Sequence, residues 1–135
     1  MIKTLQFGEK EVQFSTSFAW TFIYKSQFGK DPAQLLLPII REMNESDDAV
    51  ELGYIAYEKL GFVGIAEIAW AMAKLIDSDI PEPVKWIASF EEFPAGDLVD
   101  EIMPEAITSC FATKKSPAPV QEEKKPGPKK TTTKK

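Results

Sequence analysis

Residues 62–76 constrain this chain more than any other stretch, because they are apolar nearly all the way round a helix. Their polar or small positions, Gly64, Glu67, Ala71 and Lys74, with Ser78 just beyond, step by three and four along one narrow line. A helix with so thin a wet stripe predicts the central, most buried helix of a domain. The longest apolar run, Phe62 to Ala73, contains Glu67 and falls short of the roughly 20 residues of a membrane span. The expectation is a soluble protein with no membrane partner.

Other helices should surround this one. Ser15, Thr16 and Ser17 can each cap a helix running to about Phe28, with Gly29 as its stop and Phe18, Trp20, Phe22 and Ile23 as a broad apolar face. Asp31-Pro32 is a cap followed by Pro at the first helical position, and opens a helix to about Asn44 that Pro38 should kink or split. Ser46-Asp47-Asp48 caps the next, whose predicted core stripe is Val50, Tyr54, Tyr57 and Leu60, closed by Gly61. Pro83 starts a helix carrying Trp86, Ile87 and Phe90. Pro94-Ala95-Gly96-Asp97 introduces a last one with Leu98, Ile102, Ala106 and Cys110 on one face, interrupted near Pro104.

Before the helices the period changes to two. Ile2 to Phe7 alternates apolar and polar, as does Val12-Gln13-Phe14, and Gly8-Glu9-Lys10 lies between them. That pattern predicts a hairpin over residues 2–14, with Leu5 and Phe7, or Val12 and Phe14, turned inward. Two strands alone are marginal, so the hairpin must pack on helices. The fold class is mainly α with a small N-terminal β-hairpin: about five to six helices in residues 1–112.

The formal net charge of −5 hides two opposite parts. Residues 1–112 hold 8 Lys/Arg against 19 Asp/Glu, whereas residues 113–135 hold 8 Lys against Glu122 and Glu123. The second part is Lys-, Pro- and Thr-rich with Val120 as its only large apolar residue. Such a composition cannot offset the entropy of ordering it, so a disordered basic tail is predicted over 113–135. The lone Cys110, between apolar neighbours, reads as a buried thiol in a reducing cytoplasm. The start of the chain is too polar for a secretory leader.

Chemistry is nearly excluded. With no His, the chain lacks the commonest general base, the usual Ser and Cys triads and most zinc sites. Asp77 and Asp79 open like a calcium loop, but Glu82 replaces the required Gly and Ala88 the closing Glu. They read as a solvated connection. Glu91 and Glu92 are adjacent, so on a helix they point to different sides, which is wrong for a paired acid and base. Gly61-Phe62-Val63-Gly64 is too short for a phosphate loop. No catalytic residue, cofactor or metal is expected, and the chain reads as a non-enzyme. Trp70 is assigned to the core. Trp86, on a short terminal helix, is the Trp expected to be partly exposed, and Trp86, Phe90 and Phe28 are the candidate partner-binding residues.

The stretch Ala69-Trp70-Ala71-Met72-Ala73-Lys74, the break at Asp77, Asp79 and Pro81, and the second segment Pro83, Trp86-Ile87-Ala88-Ser89-Phe90 together carry a resemblance. They resemble the small tail assembly chaperones of long-tailed bacteriophages, over roughly residues 1–112. The resemblance implies a helical protein of the infected host's cytoplasm, absent from the mature virion. It also implies a protein that coats the tape measure protein, keeps it soluble and promotes tail tube polymerisation. Its implied partners are the tape measure protein, the tail tube protein and further copies of itself. Many such chaperones are the short product of a frameshifted gene. The Lys pairs 114–115, 124–125, 129–130 and 134–135 each offer A-rich codons on which a ribosome could slip.

Two alternatives come from other classes. One is a structural tail or head-completion adaptor retained in the particle. The other is a small regulatory protein using its basic tail on nucleic acid, through phosphates alone. The acidic body argues against a polyanion beyond about a Debye length of the tail.

Overall fold

A hairpin with a left-handed glycine opens the chain in the computed structural model, which describes residues 1–43 and 49–111, with the backbone alone at Ala49 and Val50. The expected cap at 46–48, the side chain of Val50 and the tail 113–135 lie outside the described residues. Strand β1 (Ile2–Phe7) pairs antiparallel with β2 (Lys10–Ser15), from Phe7 opposite Lys10 to Ile2 opposite Ser15. Gly8 has φ 67°, the positive value that a two-residue turn demands of its first residue. The register places Leu5 opposite Val12 and Phe14 opposite Lys3, so both apolar pairs share one face instead of competing for it. Leu5, Phe7 and Phe14 are buried.

Helix α1 (Trp20–Phe28) starts later than the hydroxyl run suggested, after a turn in which Ser17 Oγ accepts from the Ala19 amide at 3.3 Å. It stops at Gly29, φ 78°, whose N–H returns to the Lys25 carbonyl. Its inner face is Trp20, Thr21 and Tyr24; Phe18 and Phe22, assigned inward from sequence, lie outside. Asp31 caps α2 (Pro32–Glu42) by accepting from the Ala33 amide at 2.9 Å, with Pro32 at the first position. Pro38 does not split α2. Its ring lies on the exposed side, where water can serve the carbonyl one turn back that has lost its donor.

The long element α3 (Ala49–Ile76) turns at Gly61, φ 72° and ψ 171°, into two helices. In the first, Leu52, Gly53 and Ala56 face inward, while Tyr54 and Tyr57 of the predicted core stripe are exposed. In the second, every residue from Ile68 through Ala73 is buried, Ala71 included, so the predicted wet stripe is narrower still. Its first turn, with Phe62 and Val63, is exposed. This helix is the centre of the domain: α3 packs against β2, α1, α2 and the C-terminal segments.

Helix α4 (Pro83–Ala88) follows the acidic connection, and α5 (Ala95–Asp97) leads through a π-helical turn (Leu98–Ile102) into α6 (Met103–Phe111). The interruption expected near Pro104 is that π turn. Pro104 has no amide to give and its ring would crowd the carbonyl four residues back, so the widened turn relieves what would otherwise break the helix. Leu98, Ile102 and Ala106 are buried as expected, and Cys110 is half-buried.

Two glycines of α3 separate packing from backbone effects. A β-carbon at Gly53 would sit 2.5 Å from the Val99 carbonyl oxygen, whereas one at Gly61 would meet nothing within 4 Å. Gly53→Ala should therefore cost about 1–3 kcal/mol through overpacking. Gly61→Ala should cost about 1–2 kcal/mol through its left-handed φ alone. Urea denaturation measures both; a neutral Gly53→Ala contradicts the close approach of α3 to the π turn.

Candidate binding surfaces

The aromatic residues divide into a core set and a surface set, and the division follows from which helix face each occupies. Trp70 is buried on α3 and donates from Nε1 to the Pro81 carbonyl at 2.8 Å. Phe28 packs edge-on against it, ring centroids 5.8 Å apart, and lies 4.6 Å from Tyr24. Trp20 donates to Ser109 Oγ at 2.8 Å, tying α1 to the end of α6. A buried indole needs a partner for its N–H, and both of these have one.

Trp86 is corrected: it is only 3% exposed. Phe7 explains why, because the hairpin brings it 6.0 Å from the Trp86 ring, 4.7 Å from Phe90 and 5.4 Å from Phe93. A short terminal helix is exposed only if nothing folds over it, and the hairpin does. Phe90, half-buried just past the end of α4, is 5.3 Å from Trp86, and Lys10 Nζ lies 5.3 Å from its ring centroid. Trp86 and Phe90 line one groove of about 620 Å³ with Val12, Ala73, Ile76 and Ile80. Phe28 is half-buried on another part of the surface. The structure thus brings Trp86 and Phe90 together and leaves Phe28 apart.

The acidic connection is closed on itself. Asp77 Oδ1 accepts from the Asp79 amide at 3.0 Å, and Lys74 Nζ donates to the carbonyls of Ser78 (2.7 Å) and Ile80 (2.8 Å). A cation entering here would have to displace the ammonium. Glu91 and Glu92 lie beyond α4 in irregular chain, not on a helix. Among the described residues no group of three or more Asp, Glu or Cys is arranged to hold a metal ion, and no helix is long and apolar enough to cross a membrane.

The exposed aromatics form two patches that sequence reasoning placed in the core. Phe18 and Phe22 stand edge-on, 6.2 Å apart, above a groove of about 220 Å³ that Thr21, Lys25, Asp31 and Pro32 complete. Tyr54, Tyr57, Phe62 and Val63 flank the turn at Gly61, with Tyr57 and Phe62 rings 4.5 Å apart. A signal for the first patch was present. The residues three and four after Phe22 are Lys25 and Ser26, whereas those after Trp20 are Ile23 and Tyr24.

Two buried groups are held protonated. Burial pushes the Tyr24 phenol up to about 12, aided by the negative charge of Glu67. Burial likewise pushes the Cys110 thiol up to about 11, despite a hydrogen bond from Ser109 that favours the thiolate. A thiol so raised carries little thiolate at neutral pH, which makes a poor nucleophile.

Comparison with protein families, with curated proteins and with solved structures finds no match to this chain.

The phenol supplies a pH test. An ordinary Tyr titrates near 10 and the folded Tyr24 near 12, so the folded state keeps its proton where the unfolded state loses it. Its contribution is fully present below pH 10 and is lost as pH rises from 10 to 12. Tyr24→Phe should flatten the alkaline fall in stability over that window, by up to about 1.4 kcal/mol per pH unit. Identical slopes for the two proteins contradict the assignment.

Proposed function

We propose that this chain is a tail assembly chaperone of a long-tailed bacteriophage, which binds apolar helical segments of the tape measure protein and keeps them soluble until tube subunits replace it. The observation that carries the reading is the patch of Tyr54, Tyr57, Phe62 and Val63, between 40% and 73% exposed, around the turn of α3. Large apolar side chains gathered on a surface mark an interaction site, and a turned helix pair offers a shallow face for another helix. The resemblance of the Trp70 and Trp86 segments to these chaperones supports the same reading.

The role requires no chemistry. A long helical client is held by many copies, each binding weakly, because neighbours on one client raise each other's effective concentration. In this reading the protein acts in the host cytoplasm, recruits the tail tube protein, self-associates along the client and is absent from the finished virion. It is the short product of a frameshifted gene.

Co-expression tests the proposal. A tape measure protein that aggregates alone should become soluble with this chain, and the double variant Tyr54→Ser/Phe62→Ser should lose most of that effect. Its own stability should change by no more than about 0.5 kcal/mol per site, as for exposed positions. If the client precipitates equally with and without the protein, and purified tails contain the protein stoichiometrically, the chain is a structural adaptor instead.

A further inference from the structure

The groove under Phe18 and Phe22 lies where the described chain ends. Phe18 and Phe22 are 49% and 71% exposed, Pro32 forms its floor, and Asp31 and Lys25 stand on its rim. The last turn of α6 is beside it. Ser109 accepts from Trp20, two residues from both Phe18 and Phe22, and Asp31 is near enough to Cys110 for its charge to act on the thiol. The chain therefore leaves α6 next to an unfilled aromatic groove.

The residues after α6 match that groove in chemistry. Lys114-Lys115 comes first, then Ser116-Pro117-Ala118-Pro119-Val120, then Gln121-Glu122-Glu123. We propose that Pro117-Ala118-Pro119-Val120 docks in the Phe18/Phe22/Pro32 groove of its own chain, with the Lys pair toward Asp31 and the Glu pair toward Lys25. Pro117 comes six positions after Phe111, which at about 3.1 Å per residue gives ample reach. Pro-x-Pro sequences have little conformational freedom to lose and dock on aromatic-lined grooves. The segment also contains Val120, the one large apolar residue after position 112. Opposite charges complement at both ends, and the overall fields agree, since the body is strongly acidic and the residues beyond it basic. Because the ligand is tethered, its effective concentration is on the order of millimolar, and a weak contact suffices to fill the groove.

Docking of this segment would replace the disorder expected over the whole of 113–135. It needs this chain alone and does not rest on the client reading, which uses the other aromatic patch.

NMR of the intact, isotope-labelled chain tests it. Nuclear Overhauser contacts should connect the Val120 methyls to the rings of Phe18 and Phe22, and ring currents should move those methyls upfield. Phe22→Ser, at an exposed position, should abolish both effects, and Pro117→Gly/Pro119→Gly should weaken them while leaving the rest of the spectrum in place. Val120 methyls at random-coil positions, with Phe18 and Phe22 signals indifferent to the proline substitutions, overturn the proposal. So do contacts that appear only as concentration rises, because they assign the groove to a second copy.

Discussion

Everything in this fold leans on the burial of one helix, residues 65–73 of α3, whose side chains are almost all withdrawn from water. A helix buried on nearly every side must be surrounded, and no single neighbour can do it. β2, α1, α2, α4 and α6 each cover part of its circumference. Its small residues, Ala66, Ala69, Ala71 and Ala73, are all buried and let those neighbours come close. Trp70 fills the one large space, and its indole N–H is anchored on the loop carbonyl of Pro81. Lys74 then ties the same loop by two further carbonyls. The connection that looked like an acidic cation loop is in fact a strap held by a lysine.

A short chain that spends its apolar residues on surrounding one helix has few ways to cover its outer helices. The hairpin solves this for α4 by laying Phe7 on Trp86, Phe90 and Phe93. Nothing among the described residues does so for Phe18 and Phe22 or for the Tyr54–Phe62 patch. The first patch adjoins the departing C-terminal chain and the second does not. That difference is why one is assigned to an internal ligand and the other to a client.

Much of the architecture was legible in the residues. Period-two alternation around Gly8 marked the hairpin, Asp31-Pro32 and Gly29 marked helix ends, and the apolar run from Phe62 marked the centre. The errors have a common physical origin. Phe18, Phe22, Tyr54 and Tyr57 were assigned inward because aromatics usually are, yet helix direction is decided by which stripe can approach a neighbour. On α3 that stripe is Leu52, Gly53 and Ala56, where Gly53 lets the helix reach the Val99 backbone. Small residues marked the inner face better than large ones did. Trp86 was misjudged for the opposite reason: its cover comes from Phe7, 79 residues away in sequence, and no local pattern records that contact. Pro104 announced an irregularity without revealing that a π turn would absorb it.

If the buried half of α3 holds the fold together, it is the last element to come apart, and native-state hydrogen exchange measures this most directly. Amides from Ile68 to Ala73 should exchange only through global unfolding, with protection equal to the full free energy from denaturant titration. Those of the hairpin and α1 should open more easily. Amides of this helix that exchange through a smaller, sub-global opening, while the hairpin stays protected, would contradict it.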